Sequence, residues 1–180
     1  MQEYWKAFFD YLKAVIDEIP EWVYGIALGL FIVGSVIAFI KKDRNEGLGI
    51  SARLFLLFYV VVLYCSTVFF RTTTTIKHFP FDFFWHYEAN GEKWISLFPE
   101  VLLNVAVFIP IGLLFGVAFR RIKGWQVILA GMGISVGIEL FQWFFRKGFA
   151  DVDDVMHNVL GCVVGYMVYW VLRRRRRFEM

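Results

Sequence analysis

Five long apolar runs constrain the fold of this chain more than any other feature of its sequence. Each is close to the length of about 20 residues that an α-helix needs to cross the hydrocarbon core of a bilayer, which is about 30 Å thick. Because lipid offers the backbone no hydrogen-bond partners, each run is predicted to be a transmembrane helix. The runs are Trp22 to Ile40, Leu54 to Phe70, Val101 to Phe119, Trp125 to Phe145 and Val155 to Leu172.

Composition agrees with a membrane protein, because 59% of the 180 residues are hydrophobic and 20% are aromatic. The predicted fold class is therefore an all-α integral membrane protein, with a five-helix transmembrane bundle over residues 21–180. Acidic residues precede the first run, and no short apolar region with a small-residue cleavage site follows them. A cleaved signal peptide is therefore not expected.

Residues 1–20 form a separate predicted element. Apolar side chains such as Trp5 and Phe9 recur at helical spacing, while charged side chains such as Lys6 and Asp10 occupy the opposite side. This pattern predicts an amphipathic helix, which Pro20 separates from the first run. Two placements are open for it: on the outer membrane surface as an interfacial helix, or packed against the protein.

Basic residues flanking the runs predict the orientation, because Lys and Arg are retained on the cytoplasmic side. One set of flanks, which includes the predicted Lys41–Gly49 loop and Arg173 to Arg177, has twelve of them, and the other set has seven. The N-terminus is therefore expected outside and the C-terminus in the cytoplasm. We interpret Arg173 to Arg177 as a topology anchor attracted to anionic membrane lipids, and no nucleic-acid partner is expected.

Pairs of glycines four residues apart occur in four of the runs. Small residues at this spacing let helix backbones approach closely in lipid. We expect them to serve packing within one bundle rather than a dimer interface. The pairs are Gly25 and Gly29, Gly112 and Gly116, Gly133 and Gly137, and Gly161 and Gly165.

Polar residues inside the apolar runs are the candidate functional residues, since a charge at the bilayer centre costs about 2.5–3.5 kcal/mol or more. Glu139, Gln142 and Arg146 share one face of the fourth helix, and Asp154 and Asn158 share one face of the fifth.

Depth brings these residues together. At about 1.5 Å per residue from the outer helix ends, Asn104 and Asn158 lie about 6 Å deep and Glu139 about 10 Å deep. Glu100 lies one turn above Asn104, and the loop that carries Asp151, Asp153 and Asp154 covers the mouth. The sequence therefore predicts a polar pocket that opens outward.

The polar residues fall within segments that resemble the VanZ-like family, named for teicoplanin resistance, over about residues 79–166. The segments are "FPF" at 79–81, "LLNVAVFIPIG" at 102–112, "IELFQ" at 138–142 and "DVDDVMHNVLGCVVGY" at 151–166. The family often has an arginine three residues before the first aspartate of its D-x-D-D segment, where this chain has Gly148; Arg146 is the candidate substitute. The matching positions are Asn104, Pro110, Gly112, Glu139, Gln142, Asp151, Asp154, Asn158, Gly161 and Gly165.

The resemblance implies a role in the bacterial cell envelope and glycopeptide resistance, without supplying a catalytic mechanism. Our preferred hypothesis is an outer-face membrane protein whose pocket recognises a lipid head group, a lipid-linked cell-wall precursor or a glycopeptide. Its binding residues would be Asn104, Gln142, Arg146, Asp151, Asp154 and Asn158.

Two other functions fit the same residues. In a membrane enzyme acting on a lipid or phosphorylated envelope substrate, Glu139 would be the catalytic general acid or base. Asp151, Asp153 and Asp154 would be candidate ligands of a divalent cation such as Mg²⁺ or Ca²⁺. In a purely structural reading, Glu139 pairs with Arg146, and Asp154 caps the fifth helix.

Overall fold

The computed structural model describes residues 2–17, 20–40, 44–69, 71, 94–147 and 151–178. Most of these residues are helical, and no strand occurs among them. Five of the helices, α2 to α6, are long and apolar enough to cross a membrane, which confirms the predicted all-α, multi-pass fold class. The elements are α1 (Gln2–Asp17), α2 (Glu21–Ile40), α3 (Arg44–Tyr64) with a π-helical continuation (Cys65–Phe69), α4 (Trp94–Ala118), α5 (Gly124–Phe145) and α6 (Val152–Phe178).

Two helices extend well beyond the apolar runs that predicted them. Helix α3 begins ten residues before Leu54, and α4 begins at Trp94 rather than Val101. The prediction of a loop over residues 41–49 was therefore wrong for residues 44–49. A helix can continue past an apolar run because its backbone hydrogen bonds are internal to the helix. Within α3, Arg53 is accommodated because its Nε donates to the Gly49 carbonyl and its guanidinium lies over the Phe119 ring.

Helix α1 contacts the bundle at one end of α4. The Trp5 and Phe98 rings meet edge to face, with their centroids 6.3 Å apart. Helix α2 then starts immediately after Pro20, whose carbonyl accepts the backbone N–H of Val23 at 3.0 Å. The N-terminal helix therefore makes at least one aromatic contact with the transmembrane bundle.

Helices α4 and α6 form the most extensive contact in the bundle, and glycines allow it. Gly161 and Gly165 of α6 lie against the carbonyl groups of Val105 and Ile109, and Gly112 of α4 lies against the carbonyl of Cys162. A side chain at any of these three positions would overlap the facing backbone. By contrast, Gly25, Gly29 and Gly133 have no heavy atom within 4 Å of where a Cβ would lie.

Tyrosine hydroxyls of α3 join it to two other helices. Tyr59 donates to the Val107 carbonyl at 2.9 Å, one turn before Pro110, whose ring interrupts the regular hydrogen-bond pattern of α4. Tyr64 donates to the Ile134 carbonyl of α5 at 3.0 Å, and Gly137 leaves room for its hydroxyl. These bonds fix α3 against α4 and α5 around a buried apolar core.

Some residues used in the sequence analysis lie outside the described part of the chain. They include residues 41–43 of the predicted Lys41–Gly49 loop, Phe70 at the end of the second apolar run, residues 79–81 of the family resemblance, and Gly148 in the loop before α6.

Candidate functional site

A group of polar residues, here called the polar cluster, lies at the end of the bundle where α5 ends and α6 begins. It consists of Asn104 on α4, Glu139 and Gln142 on α5, Asp151 immediately before α6, and Asp154 in the first turn of α6. Glu139 and Gln142 are each 4% exposed, and Asp151 is 3% exposed. Three segments of the chain therefore bring buried or half-buried polar groups to one end of the bundle.

Glu139 is connected to the start of α6 through the backbone. Its Oε2 atom accepts the N–H of Asp151 at 2.9 Å. The N-terminus of a helix carries a partial positive charge, so a carboxylate beside it is favourably placed. Because α5 supplies the carboxylate and α6 the N–H group, this bond fixes the two helix ends relative to each other.

Asp151 is the N-cap of α6. Its Oδ1 atom accepts the backbone N–H of Asp153, the second residue of the helix, at 2.8 Å. The interpretation of Asp154 as the cap was therefore wrong. The cap is the residue immediately before the first helical turn, and Asp154 already lies inside that turn.

Asp154 points across to α4 instead. The Nδ2 atom of Asn104 donates to its Oδ1 atom at 2.6 Å. This short bond joins two helices whose backbones also meet where Gly161, two turns after Asp154, lies against Val105, the residue after Asn104. The acidic groups of Glu139 and Asp154 lie within electrostatic range of each other.

Asn158 lies one turn deeper than the polar cluster and has a partner of its own. Its Nδ2 atom donates to Ser135 Oγ at 2.8 Å, and both residues are buried. Ser135 was not among the site residues predicted from the sequence. It lies four residues before Glu139, and this spacing on the same face of α5 was the signal that could have found it.

Gln142 reaches the π-helical segment that follows α3. Its Nε2 atom donates to the Thr67 carbonyl at 3.1 Å. Its Oε1 atom is buried and has no hydrogen-bond partner among the described residues. Single-turn π-helical segments occur frequently at functional sites, and here the segment supplies a carbonyl acceptor to the buried face of α5.

Arg71 is a cation at this end of the bundle to which the sequence analysis gave no site role. It lies within electrostatic range of both Glu139 and Asp154, as does the acidic side chain of Glu100. The Arg71 backbone is held in place because Lys147 Nζ donates to its carbonyl at 2.9 Å. Only its position directly after the second apolar run marked Arg71 in the sequence.

Arg146 does not occupy the position expected for an ion pair with Glu139. It is an exposed residue that ends α5 in a left-handed conformation, with φ of 58°. Its backbone N–H donates to the Gln142 carbonyl. The charged groups nearest in effect to Glu139 are Asp151, Arg71 and Glu100, and Arg146 is not one of these three.

The three aspartates proposed as metal ligands do not form a metal-binding group. In the described part of the chain, no three His, Cys, Asp or Glu side chains are arranged to hold a metal ion. The reason is local: Asp151 caps α6, its neighbour Asp153 is buried with its N–H bonded to that cap, and Asp154 faces Asn104.

These features define a class: an all-helical, multi-pass membrane protein with a buried acidic group at one end of its bundle. The chain belongs to the VanZ/LLP1 family, whose sequence profile matches residues 54–173. It is similar to Protein VanZ of Enterococcus faecium, with 35% identity over 72 residues. That match covers 40% of this chain and 45% of the relative, which is less than half of each. No solved structure matches the chain.

Proposed function

We propose that this VanZ-like protein of the bacterial cell membrane confers resistance to glycopeptides such as teicoplanin. It does so by recognising a lipid head group or a lipid-linked cell-wall precursor in an outward-facing polar pocket formed around the polar cluster. Family membership supports the envelope role. The arrangement of Glu139, Asp154 and Asn104 supports a recognition site.

The observation that carries this proposal is the buried carboxylate of Glu139. Its observed bond to the Asp151 N–H needs only an oxygen acceptor, which a neutral glutamine would also supply. A charged group inside a transmembrane segment is costly and marks a functional site by default. The hydrogen bond to Asp151 by itself therefore does not require an acidic side chain at position 139.

The outward direction of the pocket follows from the proposed orientation, with the N-terminus outside. In that orientation α5 ends and α6 begins at the outer face, so the polar cluster lies in the outer leaflet. The contact between Trp5 and Phe98 places α1 near the start of α4, at the same end. We propose that α1 is amphipathic and lies at the outer interface, where it also contacts the bundle.

Growth in the presence of teicoplanin tests this function. Expression of the unaltered protein is expected to raise the inhibitory concentration, and Glu139→Gln is expected to return it to that of cells without the protein. The matched control is Glu21→Gln, an identical change at an exposed position at the start of α2. Equal resistance from Glu139→Gln, at equal amounts in the membrane, would reject the functional role of this carboxylate.

An enzyme acting at the same carboxylates is the second candidate. Glu139 is buried beside the acidic groups of Asp151 and Asp154, an environment suited to proton transfer. Incubating the purified protein with lipid II and bacterial phospholipids, followed by mass spectrometry, separates the two functions. A new product that disappears with Glu139→Gln would establish turnover, whereas unchanged substrates would favour recognition.

A further inference from the structure

The N–H groups of the polar cluster already donate hydrogen bonds, whereas several of its oxygen atoms can accept more among the described residues. The Asp151 N–H is taken by Glu139, Asn104 Nδ2 is directed at Asp154, and Gln142 Nε2 is directed at Thr67. The first two bonds each occupy one of the roughly four lone-pair sites of a carboxylate, which only accepts when it is ionised, and the third ends on a backbone carbonyl. With respect to the described residues, the carboxyl groups of Glu139 and Asp154 therefore retain capacity mainly for accepting hydrogen bonds.

Gln142 gives independent evidence for a missing donor. The Thr67 carbonyl can only accept, so the amide nitrogen must face it and the amide oxygen must point elsewhere. This Oε1 atom is buried and without a partner among the described residues, in a side chain that is only 4% exposed. A hydrogen bond from a donor to such a buried acceptor would stabilise the protein.

The charged side chains around the polar cluster indicate the charge of the expected ligand. The acidic side chains of Glu100, Glu139 and Asp151 lie within electrostatic range of the Asp154 carboxyl group. The described cations near them are Arg71 and Lys147, whose Nζ bonds to the Arg71 carbonyl. Four acidic groups against these two cations favour a positively charged ligand and disfavour a phosphate or another anion.

We infer that the polar cluster binds a protonated primary amine, whose N–H groups are accepted by Gln142 Oε1 and by the carboxylates of Glu139 and Asp154. This inference rests on the proposed function and names the chemistry of its ligand. A bare metal ion fits less well, since no metal-holding group exists among the described residues. A quaternary ammonium has no N–H group to offer the Gln142 oxygen.

Two sources can supply such an amine: the head group of an outer-leaflet lipid, or a water-soluble amine outside the cell. Comparing phosphatidylethanolamine with phosphatidylcholine isolates the contribution of the N–H donors. Both lipids have a phosphate and a single positive charge, but in phosphatidylcholine methyl groups replace the hydrogens of the three N–H groups. Soluble glycerophosphoethanolamine carries the same amine without acyl chains.

The experiment titrates the full-length protein in detergent micelles with phosphatidylethanolamine, phosphatidylcholine or phosphatidylglycerol and measures binding by native mass spectrometry. The unaltered protein is expected to prefer phosphatidylethanolamine over phosphatidylcholine by about tenfold or more, the effect of one hydrogen bond to a charged group. The ratio of the two affinities is the readout, because it does not depend on the fraction of protein that is folded.

Three variants locate the preference. Glu139→Gln and Gln142→Leu are expected to bring the ratio close to one, and Glu21→Gln is expected to leave it unchanged. Gln142→Glu loses the bond to Thr67 but keeps an acceptor, so it is expected to retain the preference. If Gln142→Glu instead behaves like Gln142→Leu, Gln142 acts only through Thr67, and the proposed contact with the amine is wrong.

Other results overturn the inference without touching the proposed function. A preference for phosphatidylglycerol that is lost in Glu139→Gln would keep recognition at this site but replace the amine by an anionic lipid. Equal binding of phosphatidylethanolamine and phosphatidylcholine, or a preference that survives both Glu139→Gln and Gln142→Leu, would also reject the amine. Competition by glycerophosphoethanolamine would show that the amine alone suffices, and its absence would show that the lipid chains also contribute; both results keep the amine. Growth in the presence of teicoplanin tests the proposed function separately.

Discussion

Asp151 and Asp154 lie one helical turn apart, yet their side chains have different partners. Asp151 accepts the N–H of Asp153 and so satisfies one of the free donors at the start of α6. Asp154 faces Asn104 on α4. At the scale of the residue, the role of each carboxylate is set by its position relative to the helix start, although both are short acidic side chains in the same motif.

Substitution of Asp151 tests the cap. Asp151→Ala is expected to lower the free energy of unfolding by about 0.5–2 kcal/mol, because the Asp153 N–H loses its acceptor. Asp151→Asn retains an oxygen acceptor and is expected to preserve most of that stability. Thermal unfolding of the purified variants in detergent measures both, and equal melting temperatures for the Ala and Asn variants would contradict the capping role.

At the scale of the element, α4 and α6 approach closely because each presents glycine to the backbone of the other. The contacts at Gly161 and Gly165 begin two turns after Asp154 on α6, and directly after Asn104 on α4. Without an apolar driving force between helices in lipid, close backbone packing and interhelical hydrogen bonds provide the association. The polar cluster is therefore positioned by the tightest helix pair in the bundle.

Matched glycine substitutions separate packing from helix propensity. Gly161→Ala would force a methyl group into the Val105 carbonyl, so it is expected to destabilise the protein by about 1–3 kcal/mol. Gly133→Ala adds the same methyl group in open space, and it is expected to be neutral or stabilising by up to about 1 kcal/mol. Thermal unfolding in detergent compares them, and similar losses in both variants would show that the α4–α6 contact is not the cause.

At the scale of the whole molecule, the proposed orientation decides which face of the membrane the polar cluster serves. Twelve basic residues flank the helices on the proposed cytoplasmic side and seven on the other. On the same proposed inner side, Arg173 donates to the Arg120 carbonyl at 2.8 Å, and Arg174 lies 3.6 Å from the centroid of the Trp170 ring. These contacts describe a basic end of the bundle opposite the polar cluster.

Cysteine labelling in intact cells tests the orientation. In a variant whose native Cys65 and Cys162 are replaced by alanine, a cysteine at Asn90 is expected to react with an impermeant thiol reagent from outside. A cysteine at Lys41 is expected to react only after the membrane is permeabilised. The reverse pattern would place the polar cluster at the cytoplasmic face and reject an outer-leaflet ligand.

The number and location of the membrane-spanning helices follow from the sequence alone. A run of about 20 apolar residues must satisfy its backbone internally in lipid, and only a helix does so within one segment. The periodicity of the α-helix likewise predicted Glu139 and Gln142 on one face of α5, and Asp154 and Asn158 on one face of α6. These are properties of single segments, for which local sequence is sufficient.

The partners of those residues were decided by the tertiary structure. Glu139 bonds to the backbone of Asp151 rather than pairing with Arg146, Asn158 pairs with Ser135, and Gln142 reaches Thr67. Likewise, Gly161 packs against a neighbouring helix while Gly133 does not, although both belong to pairs with the same spacing. Each outcome depends on how far one helix is shifted and rotated relative to another, and spacing within a single helix carries no information about that relation.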